Sequence, residues 1–236
     1  MSLSEPETLQ VCPKCAALSR EGDTTCRNCG VIFAKVRARA SASSPVDLLD
    51  GRATMVEPAG AGVTYARAAF LALLSYLTFR FLSHPIASNY VGESFLHLVL
   101  LPFHEAGHVL FSPFGRFLQV AGGTLMQLLV PAAVACSFLR RRDRFAAAAG
   151  FWWLGESLLD VAPYADDARA GQLMLLGGVT GSEVEDYHDW EVMLGRLNML
   201  SWDHALARCF FVAGALVMVA ALLFGVLATW RRTATR

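Results

Sequence analysis

The chain has 236 residues, of which 55% are hydrophobic and only 17% are charged. Soluble globular proteins are about 45–50% apolar, with about a quarter of their residues charged, so this composition excludes an ordinary soluble domain and indicates a membrane protein. The formal net charge is zero, and we therefore expect no nucleic-acid partner, because nucleic-acid-binding proteins present a basic surface.

The charges are distributed unevenly along the chain. Residues 1–64 are hydrophilic and carry seven Lys and Arg against seven Asp and Glu, whereas residues 164–206 carry eight acidic residues against two arginines. Most of the remaining sequence consists of long apolar runs. The pattern predicts a mainly α-helical protein, with a small four-cysteine zinc ribbon at 1–40, a flexible linker at 41–64 and a polytopic membrane domain at 65–236. Within that domain, the acidic stretch is predicted to be extramembrane or re-entrant.

The amino-terminal module contains two CxxC pairs, Cys12 with Cys15 and Cys26 with Cys29, separated by ten residues. Four thiolates close a tetrahedral structural zinc site and leave no open coordination position. The spacer fits a short hairpin, and metal binding would stabilise a module too small for a hydrophobic core of its own. Two disulfides are the alternative, which would require an oxidising compartment. The spacing favours zinc in the cytosol, in a module that is structural or that docks a cytosolic partner.

Five segments are long and apolar enough to be candidate membrane spans, since a spanning helix needs about 20 such residues. These are Tyr65–Leu82, Glu93–Phe111, Gly123–Leu139, Phe145–Pro163 and Ala207–Trp230. The basic cluster at 140–144 and the arginines at 231–232 favour the cytosolic side. Five simple spans would then place the ribbon outside, against the thiol argument, so one early segment is expected not to cross as a straight helix. The region after Phe111 is the suspect, with a break at 112–115 and an extended, glycine-hinged stretch at 117–123.

The segment His104-Glu105-Ala106-Gly107-His108 lies inside one of these apolar runs. Residues four apart share a face of an α-helix, so both imidazoles point the same way and provide two ligands of a catalytic zinc ion. The intervening Glu105 is then a candidate general base for a water molecule. Ionisable residues at membrane depth are costly and generally functional.

A catalytic zinc ion needs a third protein ligand. Asp160 is our first choice, because a carboxylate so deep in an apolar segment needs a partner or a metal. His188 is its rival, with Asp189 as an acceptor that orients it. Glu156 and Asp167 are further candidates on the helical face of Asp160.

His97 lies two helical turns before His104 and on the same face. It could orient a ligand, relay protons or bind the metal. We favour the simpler interpretation, in which it forms a hydrogen bond to a neighbouring helix.

The His-Glu-Ala-Gly-His segment resembles the zinc-binding helix of the site-2 protease family of intramembrane metallopeptidases. The stretch 117–123 is similar to the extended element that follows that helix, and Leu159-Asp160 stands where the family has its third ligand, although Val161 replaces the family's glycine. The resemblance covers about residues 93–165. It implies His104, His108 and Asp160 as ligands of a catalytic Zn²⁺ and Glu105 as the base.

These observations predict an intramembrane zinc metalloendopeptidase that cleaves membrane or juxtamembrane segments of a membrane-protein substrate. It would carry one catalytic and one structural zinc ion in the inner membrane of a bacterium, with the ribbon in the cytosol. The alternative is a non-enzymatic membrane scaffold or metal-handling protein that docks partners through its ribbon.

Overall fold

The computed structural model describes residues 9–15, 17–20, 22–35 and 60–230. The chain divides into two compact units, Met1–Glu57 and Pro58–Arg236. Most of the predicted linker lies outside the described residues, as do the arginines at 231–232. The last part of that linker is not a linker, because a helix already begins at Ala61.

The first unit is a pair of tight turns that carry the cysteines. Strands β1 (Leu9–Val11) and β2 (Leu18–Arg20) are antiparallel, with Val11 opposite Leu18. The first CxxC pair lies at the turn between these strands, so the hairpin surrounds a CxxC pair and the predicted hairpin between the two pairs is wrong. The second pair lies between Thr25 and Ile32, which form an isolated bridge.

The second unit is helical, as the composition predicts. Its helices are α1 (Ala61–Leu82), α2 (Phe95–Phe111), α3 (Arg116–Arg140), α4 (Arg144–Asp166), α5 (Asp189–Arg196) and α6 (Asp203–Trp230). Among the described residues, four helical stretches are long and apolar enough to cross a membrane: Ala61–Leu82, Phe95–Phe114, Arg116–Arg140 and Leu200–Trp230. The protein is therefore a helical membrane protein.

The sequence predicted a fifth span, at Phe145–Pro163. A helix does form there as α4, but it is not one of the four stretches that qualify as spans. Thirteen of its 23 residues are buried, including two carboxylic acids, Glu156 and Asp160. Burial by neighbouring helices explains why this segment tolerates acidic residues, since protein rather than lipid surrounds them.

Helix α4 lies at the centre of the unit and packs most extensively on α6. The two helices cross at a pair of glycines: a Cβ on Gly214 would lie 2.6 Å from the carbonyl oxygen of Gly155. Small residues at such crossings let two helix backbones approach closely in membrane proteins. On another side of α4, the indole N–H of Trp152 donates to Thr78 Oγ1 of α1 at 2.8 Å, with both side chains buried.

The connection between α2 and α3 is a tight break, as predicted. Residues Ser112–Phe114 form one 3₁₀ turn, and Gly115 follows with φ of +92°. The predicted extended stretch at 117–123 is wrong, because α3 is helical from Arg116 onward. Its glycines serve helix packing instead: a Cβ on Gly122 would lie 2.5 Å from the carbonyl oxygen of Gly107 on α2.

Candidate metal centre

The two predicted histidines lie on the face of α2 that packs against α3. His104 is buried and His108 is half-buried. Each ring has its Nδ1 atom engaged by α3: His104 Nδ1 lies 2.9 Å from Gln127 Oε1, and His108 Nδ1 lies 2.9 Å from the backbone oxygen of Gln119. Both Nε2 atoms therefore point away from these contacts and are available as ligands.

The two Nε2 atoms converge on one carboxylate oxygen, which belongs to Asp189. Its Oδ2 atom lies 3.0 Å from His104 Nε2 and 3.2 Å from His108 Nε2. Ligand atoms of all three residues lie within 4.8 Å of one another. Tetrahedral zinc with bonds of about 2.0–2.1 Å places its ligand atoms about 3.3 Å apart. The three side chains thus have the chemistry and the spacing of a two-histidine, one-carboxylate metal site.

Asp189 reaches this position because it is the first residue of α5, directly after the acidic loop. His188 caps this helix, with its Nδ1 accepting from the backbone N–H of Glu191 at 3.3 Å. The side chain of His188 is fully buried and packs against Tyr164 of α4, with 4.4 Å between ring centroids and the rings tilted by 41°. Tyr164 Oη in turn lies 3.0 Å from the backbone nitrogen of Asp189. The cap and the tyrosine together fix the start of α5 beside α2.

Two ionisable groups outside the spanning helices have shifted pKa values here. Burial raises the pKa of Asp189, but the imidazoles of His104 and His108 outweigh burial, and its pKa lies below the ordinary value. Burial lowers the pKa of His188 despite two nearby aspartates. Asp189 is thus anionic, as a metal ligand must be, and His188 is neutral, as an accepting Nδ1 requires.

The two histidines of α2 pack directly against the backbone of α3 at Gly123. A Cβ on Gly123 would lie 2.5 Å from His104 Nε2 and 2.7 Å from His108 Cε1. Real Cβ atoms do not approach other atoms so closely, so only glycine fits opposite these nitrogen atoms. The anionic carboxylate and the two directed imidazoles together fit a divalent metal ion held by His104, His108 and Asp189.

The structure does not bring the predicted third ligand, Asp160, into this group. Its carboxylate lies between two other side chains: Oδ1 is 3.0 Å from His97 Nδ1, and Oδ2 accepts from Gln127 Nε2 at 2.7 Å. A buried carboxylate needs polar partners, and these two side chains provide them for Asp160. His97 thus bonds to a neighbouring helix, as its simpler interpretation predicted.

The three remaining candidates for the third ligand also lie away from the two histidines of α2. His188 caps α5 with one nitrogen, and its Nε2 is 3.6 Å from Asp167. Asp167 accepts from the backbone N–H groups of Gln172 and Leu173. Glu156 is fully buried, and neither carboxyl oxygen has a hydrogen-bond partner among the described residues.

Glu105 lies beside the two histidines on α2 and is half-buried. It lines a cavity of about 330 Å³ together with His104, His108 and Asp189. The cavity walls are partly apolar and partly polar. The apolar side chains come from α2, α4 and the acidic loop and include Leu101, Val161, Leu173 and Leu175, and the polar ones include Arg116 and Tyr187. A carboxylate, a cluster of metal-ligand atoms and an adjoining cavity are the parts that hydrolysis at a metal requires.

The four cysteines of the first unit also come together. Cys12 Sγ lies 3.7 Å from Cys29 Sγ, and Cys15 Sγ lies 3.7 Å from Cys26 Sγ. All four are free thiols. Zinc–sulfur bonds of about 2.3 Å in a tetrahedron place sulfur atoms about 3.8 Å apart, which matches these distances. Hydrogen bonds from the backbone N–H groups of Cys29 and Asn28, opposed in part by burial, lower the pKa of Cys26 to about 6, toward the thiolate that binds metals.

Comparisons with known proteins give no relative. No protein-family profile matches the sequence, and neither the curated proteins nor the solved structures contain a match. The function is therefore inferred from the geometry of the metal centre itself.

Proposed function

We propose that this protein is a membrane-embedded zinc metallopeptidase that cleaves membrane or juxtamembrane segments of other proteins. The observation that carries the proposal is the convergence of His104, His108 and Asp189 at a cavity that Glu105 also lines. Three protein ligands are the usual complement of a catalytic zinc site, whereas structural sites have four. The helical pattern of two histidines flanking a glutamate is the one that zinc peptidases use.

In this proposal His104, His108 and Asp189 hold the zinc ion. When bound, zinc supplies Lewis acidity that polarises a carbonyl group and lowers the pKa of a water molecule. Glu105 accepts a proton from the attacking water and delivers it to the amine of the leaving peptide. The apolar walls at Leu101 and Val161 contact the substrate chain and exclude bulk water.

The location of the centre supports a membrane substrate. Its histidines lie on α2, one of the helices that can cross a membrane, and α3 supplies the partners of their Nδ1 atoms. A peptide entering the cavity would have to be locally unwound, because a helix buries its carbonyl groups in its own hydrogen bonds.

A glutamate substitution separates the peptidase from a scaffold or a metal-handling protein. Full-length protein is purified in detergent and incubated with quenched fluorescent peptides that carry apolar membrane-segment sequences. Glu105→Gln should lower cleavage at least about 100-fold, because a positioned general base contributes about 10²–10⁴-fold, while the zinc content stays at two per chain. The matched control is Glu93→Gln, a position just before α2, which should cleave at the wild-type rate.

Two results would contradict the peptidase. One is wild-type cleavage by Glu105→Gln. The other is the absence of cleavage by zinc-loaded wild-type protein, which would favour the scaffold or metal-handling function.

We also propose that the ribbon lies in the cytosol of a bacterium and recruits a partner or substrate. Deletion of residues 1–40 should then change which membrane proteins are cleaved and spare the cleavage of a short test peptide. Equal loss of both activities would argue against recruitment.

A further inference from the structure

A buried chain of hydrogen bonds connects the metal centre to a carboxylate that does not belong to it. It starts at His104, passes through the side chain of Gln127 on α3 and reaches Asp160 on α4. Gln127 and Asp160 are 4% and 5% exposed, so water has little access to either. His97 closes the far end, with its Nδ1 within 3.1 Å of both Asp160 oxygens.

The chemistry of these groups fixes the direction of every bond. An ionised carboxylate only accepts hydrogen bonds, so the group of Gln127 that faces Asp160 at 2.7 Å is its NH₂. The opposite side of the amide, which faces His104 Nδ1 at 2.9 Å, is then the oxygen. An amide oxygen also only accepts. His104 must therefore carry a proton on Nδ1. In the structure its Nε2 atom lies 3.0 Å from Asp189 Oδ2, and with a metal ion bound between these two atoms the Nε2 lone pair would be the one that binds it.

We propose that Asp160, acting through Gln127, is a positioning residue that sets the tautomer and the ring orientation of His104 for metal binding. The inference rests on the proposed metal centre and assigns to Asp160 a role other than that of a ligand. Without the carboxylate, the amide of Gln127 could rotate by 180° and present its NH₂ group to the imidazole. His104 Nδ1 would then have to accept, and the proton would move to Nε2 and block the metal.

His108 provides an internal comparison. Its Nδ1 bonds to the backbone oxygen of Gln119 at 2.9 Å, and a backbone carbonyl has no donor form. The orientation of His108 thus follows from the helix itself, whereas that of His104 depends on two side chains. Substitutions at Asp160 or Gln127 should perturb one histidine and leave the other unchanged.

A further buried hydrogen bond joins α3 and α4 beside this chain. Ser157 Oγ on α4 donates to the backbone oxygen of Gln127 at 2.9 Å, and Ser157 is fully buried. This bond holds α3 and α4 together at the level of the amide, one helical turn before Asp160. A partner that fixes the other ring nitrogen of a metal-binding histidine typically contributes about 10–100-fold to metal affinity.

The first test is zinc affinity of the full-length protein in detergent, measured by competition with a chromogenic chelator. Gln127→Met and Asp160→Ala should each weaken the affinity for one of the two zinc ions by about 10–100-fold and leave the affinity for the other unchanged. Asp143→Asn is the matched control: it lies at the start of the same helix, where its side chain caps the backbone N–H of Ala146, and Asn caps as well as Asp. It should bind both ions like the wild type.

The second readout is the tautomer itself, from ¹⁵N NMR of histidine-labelled, zinc-loaded protein, with the His104 signals assigned by their loss in His104→Ala. We expect a proton on His104 Nδ1 and none on Nε2, and in Asp160→Ala a change in the His104 signals without a change in those of His108. A proton on His104 Nε2 in the wild type would overturn the inference, whether or not the variants fold.

The outcomes separate this inference from the proposed function. If His104→Ala keeps both zinc ions, the metal centre is wrong. If His104→Ala loses one ion while Gln127→Met and Asp160→Ala bind zinc with wild-type affinity, the centre stands and the positioning role of Asp160 falls.

Discussion

A single added methyl group at Gly123 should disable the metal centre and leave the fold intact. This glycine lies on α3 opposite the two histidines of α2. In Gly123→Ala, the new Cβ would lie 2.5 Å from His104 Nε2 and 2.7 Å from His104 Cε1. It would lie directly against the nitrogen atom that we propose as a metal ligand.

The size of the effect follows from these distances. Non-bonded heavy atoms rest about 3.5–4.0 Å apart, so the imidazole of His104 would have to retreat by about 1 Å. A displacement of that size in a catalytic group costs about 100-fold in rate, and we expect zinc affinity at this centre to fall about 10–100-fold as well. Helix propensity acts in the opposite direction, since Ala is favoured over Gly by about 1 kcal/mol in a helix interior. The melting temperature should therefore change little while metal binding is weakened.

The assay is zinc stoichiometry and chelator competition on purified full-length protein, with thermal unfolding measured in parallel. Gly62→Ala is the control, because Gly62 also lies in a helix and a Cβ there would meet nothing within 4 Å. It should keep two zinc ions and should not lower the melting temperature. Wild-type zinc affinity in Gly123→Ala would show that no metal binds beside this glycine, and the reasoning would fail.

Three further predictions concern other parts of the molecule. Cys26→Ser should remove one zinc ion per chain, measured by mass spectrometry of the metal, and retention of both would contradict the ribbon site. Thr78→Val should lower the free energy of unfolding by about 1 kcal/mol, because the buried indole N–H of Trp152 loses its acceptor; an unchanged melting temperature would refute this. Glu156→Met should raise that free energy by about 1 kcal/mol, since a buried carboxyl group without partners among the described residues is replaced by an apolar side chain; a lower melting temperature would contradict it.

Composition and periodicity were sufficient to predict the helical membrane class and the cluster of four cysteines. Both depend on local patterns: apolar runs of membrane length, and thiols that a tight turn brings together. The placement of both imidazoles on one face of α2 is likewise a property of residues four apart on one helix.

Asp189 could not be identified as a partner of the two histidines from local spacing. It lies 85 residues after His104, and the two meet only because the loop after α4 folds back and starts α5 beside α2. The sequence suggested His188 as an alternative third ligand, whereas the adjacent Asp189 is the residue that reaches the two histidines. Helix capping is the signal that could have distinguished His188 from Asp189. His188 lies three residues before Glu191 at the start of a short helix, so its ring accepts a hydrogen bond from the backbone of that helix.

The glycines of α3 show a second limit. Gly122 and Gly123 predicted a hinge, because glycine weakens a helix by about 1 kcal/mol relative to alanine. In the structure both lie within a helix, where Gly122 permits close approach to Gly107 of α2 and Gly123 lets the imidazole of His104 pack against the α3 backbone. The same residue type breaks a helix or brings two helices together, and only the neighbouring helix decides between these roles.

The most direct test of the metal centre compares the zinc content of Asp189→Ala with that of Asp160→Ala. Asp186→Asn is a control in the acidic loop, because the backbone at this position has a positive φ, which Asn also tolerates. Each variant is purified as the full-length protein and dialysed against zinc buffered at a concentration that saturates the wild type. We expect two ions per chain in the wild type and in Asp186→Asn, and one in Asp189→Ala. In Asp160→Ala, zinc binding at the second site should be weakened but measurable. Two tightly bound ions in Asp189→Ala, with one lost outright in Asp160→Ala, would show that Asp160 is the ligand and that the centre of His104, His108 and Asp189 is wrong.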